Sequence, residues 1–329
     1  VDQLNEKNNE SFNSQFSSGI QDVSIKYDFE YTASPNYKCN LGASAIYHTF
    51  SPGVTQYKLI EMALHQDTLL GAQKTYAWEP SVYAESEFKL NNKVSFNLGI
   101  RAQSYIVNRK KYFSFEPRAF CNLRTGKESS VKISYSSMQQ NVHLLTSTGA
   151  GMPTDLWVPA THNVRPSISK QIAIGYAQTL SKKAFELNIE VYYKTMSNLI
   201  AYQSGASYLG TSLDWQDKVE KEGNGLSYGF EILLQKKNGD ITGWISYTLS
   251  KTTRQFANLN EGIAFPYKYD HRHELGFVLF YKLKENIDFS ATWMFHTGNA
   301  FTLANGKYNI ISDPDPLPAW NNGTEEIHI

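Results

Sequence analysis

The chain has 329 residues, 41% hydrophobic and 19% charged, with 31 Lys and Arg set against 31 Asp and Glu. That balance leaves no basic excess to attract a nucleic acid. No stretch approaches eighteen consecutive apolar residues, so a helical membrane span is excluded, whereas a membrane barrel would hide its hydrophobicity in alternation.

Residues 22–31, DVSIKYDFEY, put Val23, Ile25, Tyr27, Phe29 and Tyr31 on one face and Asp22, Ser24, Lys26, Asp28 and Glu30 on the other. Period two is the signature of a strand with one apolar and one solvated face. A turn at Ser34-Pro35-Asn36 leads into Tyr37, Cys39, Leu41, Ala43, Ala45 and Tyr47, again on one parity. Read in this way, the chain predicts about twelve strands, over 20–33, 37–48, 74–89, 93–103, 112–123, 130–138, 169–180, 185–194, 225–236, 241–251, 272–283 and 287–297. Paired strands are joined by small turns such as Leu90-Asn91-Asn92 and Lys237-Asn238-Gly239-Asp240. Between pairs, long polar loops are expected at 49–73, 104–111, 139–168, 195–224, 252–271 and from 298 onward. Pro80 and Pro117 fall inside strands, where a missing N–H predicts a bulge or a local break.

Tight turns at one end and long loops at the other match an antiparallel transmembrane β-barrel. The fold class is therefore all-β. Aromatic residues make up 14% of the chain, and on the apolar parity they gather near strand ends: Tyr31 and Tyr37 at a turn, Tyr47, Tyr76 and Trp78 at the opposite end, Trp293 and Phe295 on the last strand. Such placement fits the interfacial girdles of a membrane barrel. Cys39 and Cys121 share the apolar parity, and two cysteines offer neither a disulfide framework nor a metal-ligand spacing. No Gly-x-Ser-x-Gly elbow, His-Glu-x-x-His pair or phosphate loop is present, so no enzyme activity and no cofactor are expected.

The segment from Gly223, GNGLSYGFEILLQKKNGDITGWISYTLSKTTRQF, resembles the late barrel strands of TonB-dependent outer-membrane receptors of Bacteroidetes type. SGIQDVSIKYDFEY, DLWVPATHNVRPSISKQIAIGY and FPYKYDHRHELGFVLFYKLKENIDFSATWMFHTGNAFTL resemble other barrel segments of that family, in the expected order. The resemblance implies a barrel of about 22 strands in the outer membrane of a Gram-negative bacterium. Residues 1–329 would then be part of the wall, without the plug domain and the closing strands. It also implies active import of a ligand (a glycan, peptide, metal chelate or similar) with energy from a TonB-type coupling protein engaged by an N-terminal part. Some relatives add a surface lipoprotein.

Ligand contacts are expected in the loops: Trp157, His162 and Arg165 in the third, Tyr202, Tyr208 and Trp215 in the fourth, and Arg254 and Phe256 in the fifth. Asp270, Arg272 and Glu274 alternate with His271 and His273 where the fifth loop enters a strand, and are expected to form an acid–Arg–acid ladder on the lumen wall. Tyr192, Trp244 and Met294 share the lumen parity and are expected to pack against a plug. Two other readings are a passive porin or surface-adhesin barrel and a soluble glycan-binding β-sandwich. The sandwich predicts shorter strands and no alternation of short and long connections.

Overall fold

The computed structural model describes residues 2–5, 10–61, 64–70, 74–146, 155–180, 184–204, 206, 215–304, 308–309, 322–323 and 326–327. Twelve long strands form one antiparallel wall: β1 (Glu10–Ser34), β2 (Tyr37–Glu61), β3 (Thr75–Lys89), β4 (Val94–Val107), β5 (Lys110–Arg124), β6 (Ser129–Gln140), β9 (Ser167–Leu180), β10 (Phe185–Tyr202), β11 (Val219–Lys236), β12 (Ile241–Gln255), β13 (His273–Lys284) and β14 (Ile287–His296). Each pairs with the next in that order, and among the described residues the sheet stays open at its two ends. Between β6 and β9, the strands β7 (Val142–Leu145) and β8 (Leu156–Pro159) pair only with each other. Among the described residues the helical content is two short 3-10 turns, and no helix is long and apolar enough to cross a membrane.

Alternation sorts the two faces as the sequence dictates. On β3, Trp78 and Val82 are 52% and 58% exposed on the outer face, whereas Ala77 and Ser81 on the lumen face are 1% and 6% exposed. Pairing carries the pattern from strand to strand: Ile133, Ile174, Val191, Phe230 and Leu249 form one outer row across five strands. The aromatic ends meet as expected, with Tyr47 5.1 Å from Trp78 and 6.1 Å from Tyr76, and Trp293 6.2 Å from Phe295. Cys39 and Cys121 are free thiols.

On the lumen face, large rings lie over glycines of the adjoining strand. A Cβ on Gly42 would sit 2.3 Å from the Tyr83 ring, so only glycine lets that ring cross β2 and reach Asp28 on β1. Tyr192 covers Gly229 and Trp244 covers Gly276 in the same manner. Both rings therefore fill gaps in the wall itself, on the lumen face from which they are expected to meet a plug.

The turn ends match the sequence reading to within about two residues, but the loop ends do not. Strand β2 continues to Glu61, and Leu64–Leu70 folds back on Thr55–Glu61, so most of the expected 49–73 loop is an extended hairpin. The expected loop 104–111 is a two-residue turn, Asn108-Arg109, with φ of 47° and 67° and Val107 paired to Lys110. Both residues occupy the left-handed region that such a hairpin requires. Strands β10, β11 and β12 likewise run past the wall into the expected loops.

The two prolines behave differently. At Pro80 the β3–β4 pairs are interrupted at residues 79 and 80, yet the register resumes unchanged at Ser81–Gln103. At Pro117 the β5–β6 ladder ends, its last pair being Arg118–Ser136. Glu116 takes over beyond the break: its buried carboxylate accepts a hydrogen bond of 3.0 Å from the Gln139 backbone N–H.

Candidate functional site: a hairpin across the mouth of the lumen

At the loop end, the β7–β8 hairpin lies over the lumen face and touches widely separated parts of the wall. Strand β8 contacts β1 and β2, while β7 contacts β10. On the first side, Val142 and Ala160 pack with Phe50, Ala77, Tyr105, Val107 and Tyr112. On the second, Leu145, Leu156, Val158 and Val164 pack with Ile200, Trp215, Val219 and Tyr202. Phe50, Tyr105 and Val107 are fully buried although they sit on the polar parity of their strands. An apolar residue there marks where a loop, rather than water, covers the wall.

Hydrogen bonds fix the hairpin in place. Tyr105 donates to the Ala160 carbonyl (3.3 Å) and Tyr112 to that of Thr161 (2.7 Å), while the Thr161 hydroxyl donates to Gln216 (2.6 Å). His143 Nε2 lies 3.0 Å from the Arg165 carbonyl, an acceptor only, so Nε2 carries the proton. Burial pushes the His143 pKa down to about 4. Asp155, at the start of β8, binds Lys268 (2.9 Å) and the Tyr269 hydroxyl, and this bond holds the Tyr269 phenol up at about 12. Arg254 stacks 3.7 Å from the Tyr267 ring centroid and donates to the Ile200 carbonyl (3.3 Å).

The loop residues anticipated as ligand contacts divide by exposure. Trp157 is 47% exposed, His162 is exposed, and Arg165 is exposed with Glu222 3.8 Å away. These three lie on β8 and the segment after it, at the loop end of the wall. Trp215 and Phe256 are instead 8% and 2% exposed. Trp215 belongs to the core beneath the hairpin, and Phe256 packs with Leu199 and Leu259 over Gly223. Both hold loops together and present little surface to a ligand. Tyr202 is half-buried against the hairpin core, Arg254 is engaged by Tyr267 and Ile200, and Tyr208 lies outside the described residues.

The expected ladder is a pair plus a separate acid. Asp270 accepts from the Thr252 backbone N–H (2.5 Å) and pairs with Arg272 (3.2 Å), tying the incoming loop to β12. Glu274 lies across from Thr248 and His296, with no ion pair to Arg272. It extends a row in which Glu190 and Glu231 are direct cross-strand partners and Glu231 is in turn paired with Thr248.

One polar network, centred on the buried His48, escapes a reading by segments. His48 Nδ1 is 2.8 Å from Asp22 and its Nε2 is 3.4 Å from Glu79, which also accepts from Asn141 (2.7 Å) and lies 3.7 Å from Arg101. Asp22, His48, Glu79 and Arg101 all sit on the polar parity of β1 to β4, and only the register shows that they meet. The network joins four wall strands to the base of the hairpin through Asn141. Among the described residues, no group of three or more His, Cys, Asp or Glu is arranged to hold a metal ion.

Comparison with known proteins agrees with this geometry. No curated protein matches the chain in sequence. Among solved structures, the FrpB iron transporter from Neisseria meningitidis (F5-1 variant) superposes with a TM-score of 0.59 at 9% identity, over 90% of this chain and 49% of the other. The ferripyoverdine receptor of the outer membrane of Pseudomonas aeruginosa gives 0.57 at 11%, over 90% and 40%. The alcaligin outer-membrane receptor FauA from Bordetella pertussis gives 0.51 at 13%, over 88% and 47%. The chain thus spans less than half the length of these proteins, and at such identities the likeness is one of fold. The model of the TonB dependent receptor-like beta-barrel matches residues 3–323, and the chain belongs to that family.

Proposed function

We propose that this chain is part of the wall of an outer-membrane receptor that actively imports a ligand in a Gram-negative bacterium. The outer face supports membrane insertion: exposed apolar residues such as the Ile133–Leu249 row run from strand to strand, and aromatic girdles lie at the strand ends. Family membership supports transport in place of catalysis. On this reading the twelve strands belong to a larger barrel of about 22 surrounding a plug, and a TonB-type protein supplies energy through that plug. The Bacteroidetes-type resemblance and a surface lipoprotein partner belong to the same proposal.

The observation that carries the reading is the hairpin across the mouth. A passive pore needs an open lumen, whereas here β7–β8 is packed into two hydrophobic cores on separated strands. Trp157 on the hairpin and His162 and Arg165 on the segment that follows are exposed, an aromatic, an imidazole and a guanidinium suited to a polar ligand with planar or anionic groups. The names of the similar structures specify iron, ferripyoverdine and alcaligin, and a metal chelate is one class this surface fits.

Energy dependence discriminates the two mechanisms. Cells carrying the full receptor should accumulate its ligand, and a protonophore should abolish accumulation while leaving surface binding intact. Uptake that survives the protonophore would assign the protein to the passive class.

A further inference from the structure

The outer face carries a trough that ligand import does not use. Its floor is two adjacent cross-strand rows over β2, β3 and β4, one of Ala43, Val82 and Ala102 and the other holding Ala45, Pro80 and Ser104, so apart from Val82 the side chains there are small. Large side chains bound it: Ile25 and Tyr27 on β1, paired with Ala45 and Ala43, and Phe113 and Phe115 on β5, paired with Ser104 and Ala102. These flanking residues are 69% to 74% exposed, and the open trough between them offers about 530 Å3.

The row above closes the trough with the Tyr47–Trp78 pair, Ile106 and finally Lys111. Lys111 therefore sits on the lipid-facing parity at the aromatic girdle, two residues beyond Phe113. Arg109 occupies the tip of the short turn beside it, and Lys74 immediately precedes β3 on the parity of Tyr76 and Trp78. None of these three cations is in an ion pair among the described residues. Below the girdle, the outer parity of β3, β4 and β5 carries no carboxylate. Cations set at headgroup level above an apolar depression are complementary to an anionic lipid with its acyl chains in the depression.

We propose that this face is a binding site for a phosphorylated, multi-acyl glycolipid of the outer leaflet. Lys74, Arg109 and Lys111 take the phosphate, and the trough takes acyl chain. The inference rests on the outer-membrane reading above. It assigns a purpose to the two-residue turn at Asn108: a long loop there would cover the headgroup position.

The test uses the full receptor extracted from outer membranes in neutral detergent, with bound lipid counted by native mass spectrometry. Lipid A, enzymatically dephosphorylated lipid A and inorganic pyrophosphate serve as probes. Lipid A should bind best, the dephosphorylated form should bind weakly, and pyrophosphate should not bind measurably. Replacing the three cations together (K74Q, R109Q, K111Q) should weaken lipid A retention roughly 100-fold, at about one surface charge's worth per residue. Ala102→Phe fills the trough and should also reduce retention, and Lys111→Gln alone serves if the triple variant accumulates poorly. Equal retention by wild type and the cation variants would overturn the proposal, as would pyrophosphate binding as tight as lipid A. A receptor missing from the outer-membrane fraction would sink the transporter reading first, whereas an inserted receptor indifferent to these substitutions would sink the lipid site alone.

Discussion

Val191→Arg probes the face assignment at its most demanding point. Val191 lies six residues past Phe185, where β10 starts at the turn end. Six steps of ~3.4 Å along a strand tilted by ~45° place it ~14 Å into a hydrocarbon layer ~25 Å tall, close to the midplane. Its cross-strand neighbours Ile174 and Phe230 are apolar and outward-facing, as are Ile133 and Leu249 beyond them, so no carboxylate is within reach. Arginine at such depth costs about 2–4 kcal/mol, a factor of roughly 30 to 700 in the folded-to-unfolded ratio in the membrane. The matched control is Asn188→Arg, three residues earlier on the lumen face, in a polar recess that also includes Lys132 and Glu186. Outer-membrane accumulation and the urea midpoint of the full receptor should fall for Val191→Arg and stay near wild type for Asn188→Arg. Equal behaviour of the two variants would show that this part of the wall is not in lipid, and a larger loss for Asn188→Arg would show that the faces are inverted.

Gly42→Leu should displace the Tyr83 ring and break its bond to Asp28, costing about 1–3 kcal/mol, read as a lower thermal midpoint. A neutral outcome would mean that the ring does not cross β2. For His143, the folded pKa of about 4 lies below the ordinary 6.5, so the opened hairpin binds a proton first as pH falls. The hairpin keeps its full stability above pH 6.5 and loses about 3 kcal/mol on the way to pH 4, which hydrogen exchange over 142–159 would report and His143→Gln should flatten. Trp215→Ala should loosen the loop assembly by about 3–5 kcal/mol, whereas Trp157→Ala should leave stability unchanged and weaken ligand capture; the reverse pattern would exchange their roles. Protease added to intact cells should cut within 139–168 or 195–224 and spare Lys237-Asn238-Gly239, and cleavage at that turn would reverse the orientation of the wall.

The wall was legible in the sequence because parity is a local property. Asp22 to Tyr31 declares its two faces without reference to any other segment, and so does Phe185 to Tyr193. The loop-end extensions were not legible, because their faces are set by the covering hairpin: Leu199 and Ile200 are consecutive and both buried, which no period-two pattern anticipates. Asn108-Arg109 lacks the glycine that usually announces a two-residue turn, so its left-handed backbone went unseen. Trp157 and Trp215 look alike as loop aromatics, since a loop has no parity to separate an exposed ring from a buried one. The His48 network needed the register of four strands at once.

The β7–β8 hairpin also has a mechanical meaning. Between β2 and β10, which it joins, lie five strands of wall: β3, β4, β5, β6 and β9. Six strand spacings of ~4.8 Å make an arc of ~29 Å, and the hairpin is the chord drawn across it. An arc held by a chord cannot flatten or tighten without breaking one of the two cores that anchor it. The curvature of this sector at the mouth is thus set by a loop and not by the strands alone, and on the proposed import reading a ligand that dislodges the hairpin would release the shape of the rim together with the passage beneath it.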